Sequence, residues 1–454
     1  MEGIATEQPQ IRPLFTNSDL KRLIIPLVIE QLLLMTVGMA DTVMVTIAGE
    51  AAVSGISLVD NINLLLIQVF AALGTGGAVV VAQYLGRRDY EEACAAAKQL
   101  LYVITLVSLA LMAVALIFRQ HILFLIFGHI DAEVMDSALV YFLLTAMAYP
   151  FMAVYNVGAA LFRSMGNSRV SMLNSLLVNL VNISVNAVLI YGYDMGAAGA
   201  GIGTLVSRIV AAVIFMIMIC NRNHPVHIEG VLHFEFHRNT VRRILRIGVP
   251  TGLENGMFQI GKLLVLSLIT TFGTAATAAN AIANSIAGVV NVPGAAISLA
   301  IITVVGQCMG AGDSKQAVAY SKKLMLIIYA CMGTLSVLLF FTAGPLVSLF
   351  HIGGEASAMA TGVLRLCAVF TCTFWPVSFS LPNVLRAAGD ARFTMIVSML
   401  SMWIFRIGFS YLLAHFMSWG LLGVWVAMFI DWVVRAAAFL TRFLRGRWKQ
   451  KQVI

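Results

Sequence analysis

Between Leu20 and Ala48 the chain reads LKRLIIPLVIEQLLLMTVGMADTVMVTIA, an apolar run long enough to cross a bilayer. A spanning helix needs about 20 apolar residues. Eleven more such runs follow, separated by charged or Gly-rich breaks. They predict spans at approximately 22–47, 53–85, 94–118, 135–161, 169–191, 196–220, 244–272, 277–309, 319–342, 357–384, 394–414 and 420–441. Only 11% of the 454 residues are charged and mean hydropathy is +0.91, whereas soluble chains carry about 25% charged residues. The expected fold is an all-α polytopic membrane protein. Several runs reach 30 residues, so bends are expected at Pro26, Pro150, Pro250, Pro293 and Pro376.

A net charge of +8 would suggest nucleic acid in a soluble chain. Here the basic residues gather at the ends of apolar runs and report topology. One set of connections holds Arg87, Arg88, Arg163, Arg169, Arg222, Arg238, Arg242, Arg243, Lys315, Arg386 and Arg392, whereas the other holds little beyond Arg119. Both termini and the basic loops are therefore expected in the cytoplasm, with the chain multi-pass in a bacterial cell membrane. The first run exceeds a signal-peptide core and lacks a small-residue cleavage site, so the first helix is expected to be retained. The six cysteines form no CxxC and predict neither a disulfide nor a metal framework.

The longest polar connection, Asn221 to Arg246, falls at the midpoint. Its four histidines fit no ligand spacing and read as a solvated linker. It divides an N-lobe (1–220, helices 1–6) from a C-lobe (244–454, helices 7–12 and a basic tail), with 221–243 as cytoplasmic linker. The halves repeat at an offset of 224 residues: Pro26 matches Pro250, Glu30 Glu254, Gln83 Gln307, Gly86 Gly310, Asp89 Asp313, Gly196 Gly420 and Gly199 Gly423. After the fourth span of each half the offset is 223, setting LFRSMGNSR against VLRAAGDAR. Six spans per half make the repeat parallel, with a substrate site expected between the lobes near mid-depth. The Gly86 and Gly310 segments read as helix C-caps, and Asp89 and Asp313 as N-caps of the next helix in each half.

Glu30 and Asp41 lie inside the first run, about 20° apart on the helix wheel and roughly 16 Å apart along the axis. An ionisable group at that depth costs about 2.5–3.5 kcal/mol even on lenient scales, so each needs a reason. Pairing with a base from distant sequence is one. Facing an aqueous path, with neutralisation by a proton or cation, is the other, and it is the simpler one for Asp41. In the fifth span Asn179, Asn182 and Asn186 share a face. They either hydrogen-bond between helices or join Asp41 around a small hard cation, which takes oxygen ligands. Thr204 adds a hydroxyl to that set or lines the packing. Lys262, Arg365, Arg406 and Asp431, with Glu254, are intramembrane charges of the C-half, some of them expected to pair. Gln68, Asn255, Phe258, Gln259, Asn280 and Asn284, with Glu30 and Glu254, are candidates for a mostly apolar cavity with a few polar groups; bundle packing is the alternative.

The chain resembles the multidrug and toxic compound extrusion (MATE) transporters. The resemblance rests on MADTVMV in the first helix, VAQYLG and VGQCMG after the second and eighth, LFRSMGN and VLRAAGD after the fourth and tenth, and NLVNISVNAVLIYG with GAAGAGIGT in the fifth and sixth. It implies efflux of amphipathic, often cationic drugs in exchange for Na+ or H+, through two lobes that alternate between inward and outward openings. Asp41, Asn182, Asn186 and Thr204 match its N-lobe cation site, with any Na+ held at Asp41 and no other metal or cofactor. Pro26 and Gly38 are the hinge at which the first helix would bend. Asn186 stands where some branches carry an aspartate, and the tenth span lacks the acid of branches with a C-lobe site.

Small-molecule drugs and the lipid bilayer are thus the expected partners, with no nucleic acid, and a functional monomer is expected because the repeat encloses its own cavity. The alternative is a flippase for lipid-linked oligosaccharides or lipids of the same superfamily; it gains if Lys262, Arg365 and Arg406 face the cavity. A membrane enzyme would need a clustered catalytic set, and ATP-driven transport a Gly-rich loop ending in GKS or GKT. The sequence contains neither.

Overall fold

The computed structural model describes residues 13–46, 49–128, 130–231, 233–451 and 453–454. Side chains at 37, 39–43 and 415 lie outside that description, so what is expected of the Asp41 carboxylate falls outside the described residues. The first half comprises α1 (Asn17–Thr46), α2 (Glu50–Arg87), α3 (Tyr90–Phe127), α4 (Ala132–Ser164), α5 (Ser168–Asn186), which runs on into a wide π turn (Ala187–Gly192), and α6 (Gly196–Ile219). The second comprises α7 (Arg238–Thr270), α8 (Thr274–Gly310), α9 (Ser314–Ser348), α10 (Gly354–Thr373) with α11 (Leu381–Ala387) beyond a π turn, α12 (Ala391–Ser401) extended by two π segments, and α13 (Gly420–Leu444). Counting α10 and α11 as one pass gives twelve. Among the described residues ten passes are apolar enough to cross a membrane by composition alone. The other two, α1 and α7, are 30 and 33 residues long and carry the charges noted above.

The repeat is visible in local geometry. Gly49 and Gly273, one repeat apart, precede α2 and α8 with φ of 95° and 97°. Asp89 accepts from the Glu92 N–H at 3.3 Å and Asp313 from the Gln316 N–H at 2.9 Å, so both cap the next helix as expected. The glycines before them do something else. The left-handed residues that close α2 and α8 are Arg88 and Gly312. Gly86 and Gly310 lie inside the last turns, where α2 and α8 cross: a Cβ on Gly86 would stand 1.9 Å from the Gln307 carbonyl oxygen, and one on Gly310 1.8 Å from that of Gln83. Only a residue without a side chain permits that approach.

The same end of the bundle is fastened by two bonds from these helices to their neighbours, α2 to α11 and α8 to α4. Gln83 Nε2 donates to the Ala387 carbonyl at 2.8 Å, and Gln307 Nε2 donates to the Ser164 carbonyl at 2.8 Å. Each links one half to the other, and the two are repeat-related. They lie at the end of the bundle that carries the basic connections.

Each half has its own core. One buried cluster centres on α2, α3, α4 and α6, around Phe70, Tyr149, Phe162 and Phe215. The other centres on α8 to α13, and takes Leu20, Leu23 and Leu27 of α1 with it. The α1 helix thus bridges both halves, packing on α5 and on α8.

Two helices are longer than the sequence reading expects. Helix α3 continues nine residues past the expected end at 118, because Phe118 (φ −105°, ψ 15°) kinks the helix without ending it. Helix α7 starts at Arg238, before the apolar run itself begins. The connector, exposed over most of its length, is also strapped down: Tyr102 Oη donates to the carbonyls of Val231 (2.9 Å) and His233 (2.8 Å), and Gln99 accepts from the His237 N–H at 3.1 Å. Val226 and Ile228 are buried in the first-half core.

Candidate functional site

The intramembrane charges resolve largely into pairs. Glu30, almost wholly buried, meets Arg163 at 3.2 Å and accepts from Ser171 Oγ at 2.8 Å. Its repeat counterpart Glu254 meets Arg386 at 2.7 Å. Arg163 and Arg386 correspond at the 223-residue offset, so the same acid–base pair is built once per half. Asp431 pairs with Arg435 one turn along α13 at 2.8 Å and accepts from Ser401. A charge removed from water is stabilised by such a partner, and removing that partner leaves an expensive orphan. Among the described residues Lys262 and Arg406 have no ion pair, and the Arg406 Nε is buried with no hydrogen-bond partner. Arg365 is exposed on α10 and lines none of the cavities below.

In the first half a cavity of about 200 Å³ lies among α1, α2, α4, α5 and α6. Asn186, Thr204 and Gly38 line it, and Asn182 stands behind, accepting from Asn186 Nδ2 at 3.2 Å. Asn186 is the last residue before the π turn of α5, a distortion that commonly marks functional positions. It packs tightly against α6, since a Cβ on Gly203 would fall 1.8 Å from its side-chain oxygen. Asn179 is buried two turns before Asn186, and its amide nitrogen has no hydrogen-bond partner among the described residues.

Two charged residues not singled out in the sequence also line this cavity. Asp60 accepts from Tyr141 Oη at 3.0 Å and from Asn63 Nδ2 at 3.5 Å, and Asn63 in turn accepts from Tyr149 Oη at 3.0 Å. Arg208 of α6 stacks its guanidinium 5.5 Å from the Tyr155 ring centroid. A lone Asp and a lone Arg in apolar runs were the available signal. The assembly offers carboxylate, amide and hydroxyl oxygens, the donor set of a hard cation or of a proton held by a carboxylate.

The second half holds the larger space. A cavity of about 840 Å³ is bounded by α2, α7, α8, α10, α12 and α13, within the range that encloses drug-sized molecules. It collects Phe258, Gln259, Asn280 and Asn284 among the sequence candidates, together with Lys262 and Arg406. Aromatic side chains face it: Trp375, Phe379, Trp425 and Trp432. Trp425 Nε1 donates to Asn280 Oδ1 at 3.1 Å, and Asn284 Nδ2 donates to the same oxygen at 3.0 Å. A smaller space of about 190 Å³ adjoins it, sharing Phe258 and Phe379 and lined by Glu254, Asn255, Arg386 and Arg435. Gln68 hydrogen-bonds Asn255 at 3.3 Å from α2. Gln68 and Glu30 line none of the three cavities. Helix α1 runs unbroken through Pro26 and Gly38.

The large cavity reaches Ile269 and Thr277, next to the α7–α8 turn, at the end of the bundle opposite the Gly86–Gly310 crossing. The molecule is therefore fastened at its basic end while the 840 Å³ cavity extends toward the other.

The MatE family model matches residues 26–188 and 250–412, once in each half. A probable multidrug resistance protein NorM of Thermotoga maritima is 26% identical over 99% of this chain and 95% of its own length. The uncharacterized transporter YisQ of Bacillus subtilis is 28% identical, covering 94% of each chain. Among solved structures, a MATE protein crystallised in a bent conformation superposes with a TM-score of 0.88 at 22% identity, over 96% of both chains, a likeness of fold.

Proposed function

Since the chain belongs to the MatE family, we propose that it is a secondary active transporter, exporting amphipathic drugs in exchange for Na+ or H+ by alternating access. It works in the cell membrane as a monomer, with both termini cytoplasmic and lobes at 1–220 and 244–454 joined by the 221–243 connector. The observation that carries this reading is the pairing of a fastened basic end with an 840 Å³ cavity reaching the opposite end. With the basic end in the cytoplasm by the positive-inside rule, that is the outward-facing half of such a cycle.

Coupling is proposed at the first-half cavity, through Asp41, Asn182, Asn186 and Thr204, with Asp60 as a further carboxylate. A cation or proton arriving from outside neutralises the acid and removes the need for water around it. Helix α1 then bends near Pro26 or Gly38, the first-half cavity closes, and drug is expelled. Drug and ion each shift the population toward the state they bind better. Glu254, Asn255, Phe258, Gln259, Asn280 and Asn284 supply polar and aromatic contacts on the drug's side. Ion-driven efflux from proteoliposomes tests this: export under one imposed gradient is expected, and no export under either gradient overturns it.

Cationic drugs are the class the family resemblance implies, and on this cavity wall they approach two fixed positive charges. The same two residues, Lys262 and Arg406, favour the second reading, a flippase for a phosphate-bearing lipid or lipid-linked oligosaccharide.

A further inference from the structure

The charged groups of the second half do not balance. Arg386 and Arg435 are matched by Glu254 and Asp431. Lys262 and Arg406 remain, both on the wall of the large cavity, and no Asp or Glu is among the described residues that line it. They stand close enough to repel one another. Uncompensated cations at membrane depth are costly, and such residues characteristically face a cavity and meet a partner there. Neither makes an ion pair or a side-chain hydrogen bond among the described residues; the nearest acid that Arg406 feels, Asp431, is already bonded to Arg435, so three cations share one carboxylate. The Arg406 guanidinium lies over the Phe258 ring, 5.3 Å from its centroid, while Arg435 lies 5.5 Å from the same ring. A guanidinium braced in this way is preorganised to receive a planar, two-oxygen anion. Beside it the cavity offers the faces and edges of Trp375, Phe379, Trp425 and Trp432, surfaces suited to an aromatic or acyl body.

We propose that the large cavity is a site for amphipathic anions, whose carboxylate, sulfonate or phosphate head lies between Lys262 and Arg406 while its apolar body rests on the tryptophan and phenylalanine wall. The bound anion supplies the counter-charge the protein lacks. An amphipathic cation of the same shape lacks this contact and meets repulsion in its place. The inference rests on the export reading above only for what happens after binding. The head group can belong to a free amphiphile or to a lipid, since both present the same chemistry.

The test uses the full chain in nanodiscs of neutral lipid and two dyes with one fluorophore and opposite charge, dansyl-glycine and dansylcholine. Energy transfer from the wall tryptophans to the dansyl group reports occupancy. Dansyl-glycine is expected to saturate and dansylcholine to bind more weakly. Lys262→Gln and Arg406→Gln should each weaken dansyl-glycine about tenfold, the worth of a charge-assisted contact, and leave dansylcholine unchanged or tighter. Lys262→Arg should restore the anion. These variants are scored only where gel filtration shows a folded monodisperse protein, and Lys262→Arg serves as the folded control.

Equal or tighter binding of dansylcholine, or indifference of dansyl-glycine to both substitutions, overturns the anion site. Competition by lysophosphatidic acid that is lost in the same variants supports the site and assigns it to a lipid head; competition by 2-naphthoate alone supports it and assigns it to free anions. Transport separates the two readings. Dansylcholine export under an ion gradient that equals or exceeds dansyl-glycine export leaves the export reading standing and removes this one. Dansyl-glycine binding through Lys262 and Arg406, with neither dye moving under a gradient, does the reverse.

Discussion

Replacing Gly86 or Gly310 by alanine should release the basic end of the bundle. A new Cβ would lie 1.9 Å from the Gln307 carbonyl oxygen, or 1.8 Å from that of Gln83. Real Cβ contacts stay beyond 3.0 Å, so α2 and α8 must part by about 1.1 to 1.2 Å, the difference between that limit and the two distances. The atoms met are backbone, so no side chain can swing aside. If the separation passes fully into the cross-links, the 2.8 Å bonds from Gln83 and Gln307 lengthen to about 4 Å, past hydrogen-bonding range. Two such bonds contribute about 1–3 kcal/mol together, enough to shift a two-state equilibrium roughly 5- to 150-fold. Spin labels at Arg87→Cys and Ala311→Cys, in a background lacking the native cysteines, report the distance across this end. The distribution should acquire a longer component in either alanine variant, and a smaller one in Gln83→Ala. An unchanged distribution in Gly86→Ala and Gly310→Ala would refute the claim that this crossing holds the basic end shut.

Three further outcomes are expected from the same geometry. Arg386→Ala leaves the buried Glu254 carboxylate unpaired and should destabilise the protein by about 3–5 kcal/mol, read by unfolding in mixed detergent micelles. Glu254→Gln combined with Arg386→Gln should recover most of that loss, and a double variant as weak as Arg386→Ala alone contradicts the pairing argument. Tyr141→Phe removes the hydroxyl bound to Asp60; if Asp60 takes part in coupling, the ion concentration for half-maximal transport shifts while dye affinity does not. Tyr102→Phe should raise hydrogen exchange across residues 228–237, since that hydroxyl ties down two connector carbonyls.

Much of this was legible in the sequence because hydrocarbon admits few solutions. Long apolar runs become helices, and a 224-residue repeat becomes two halves. The asparagine stripe of α5 was readable too, and Asn182, Asn186 and Thr204 are brought together in space. The pairings were harder. Glu30 and Arg163 are 133 residues apart, and Arg163 reads as a loop base reporting topology. The repeat contained the missing signal, since an acid at 30 and 254 and a base at 163 and 386 recur together. Gly86 and Gly310 read as caps because glycine ends helices in general; only the crossing of two helices shows that they serve close approach. Asp60 and Arg208 each read as a lone charge in an apolar run, and their significance lies in neighbours drawn from four other helices. Lys262 and Arg406 were readable as intramembrane charges, but the net charge of the large cavity follows only once Glu254 and Asp431 are seen to be engaged by Arg386 and Arg435.

The central claim is that ion coupling resides in the first half. It is tested most directly by dye export from proteoliposomes, with Na+ and H+ gradients imposed separately, comparing the native chain with Asp41→Asn. Export driven by one of the two gradients, and abolished by the substitution while dye binding persists, is the predicted result, and the active gradient names the ion. Undiminished gradient-driven export by Asp41→Asn would contradict it and move coupling to another carboxylate, Asp60 or Glu254.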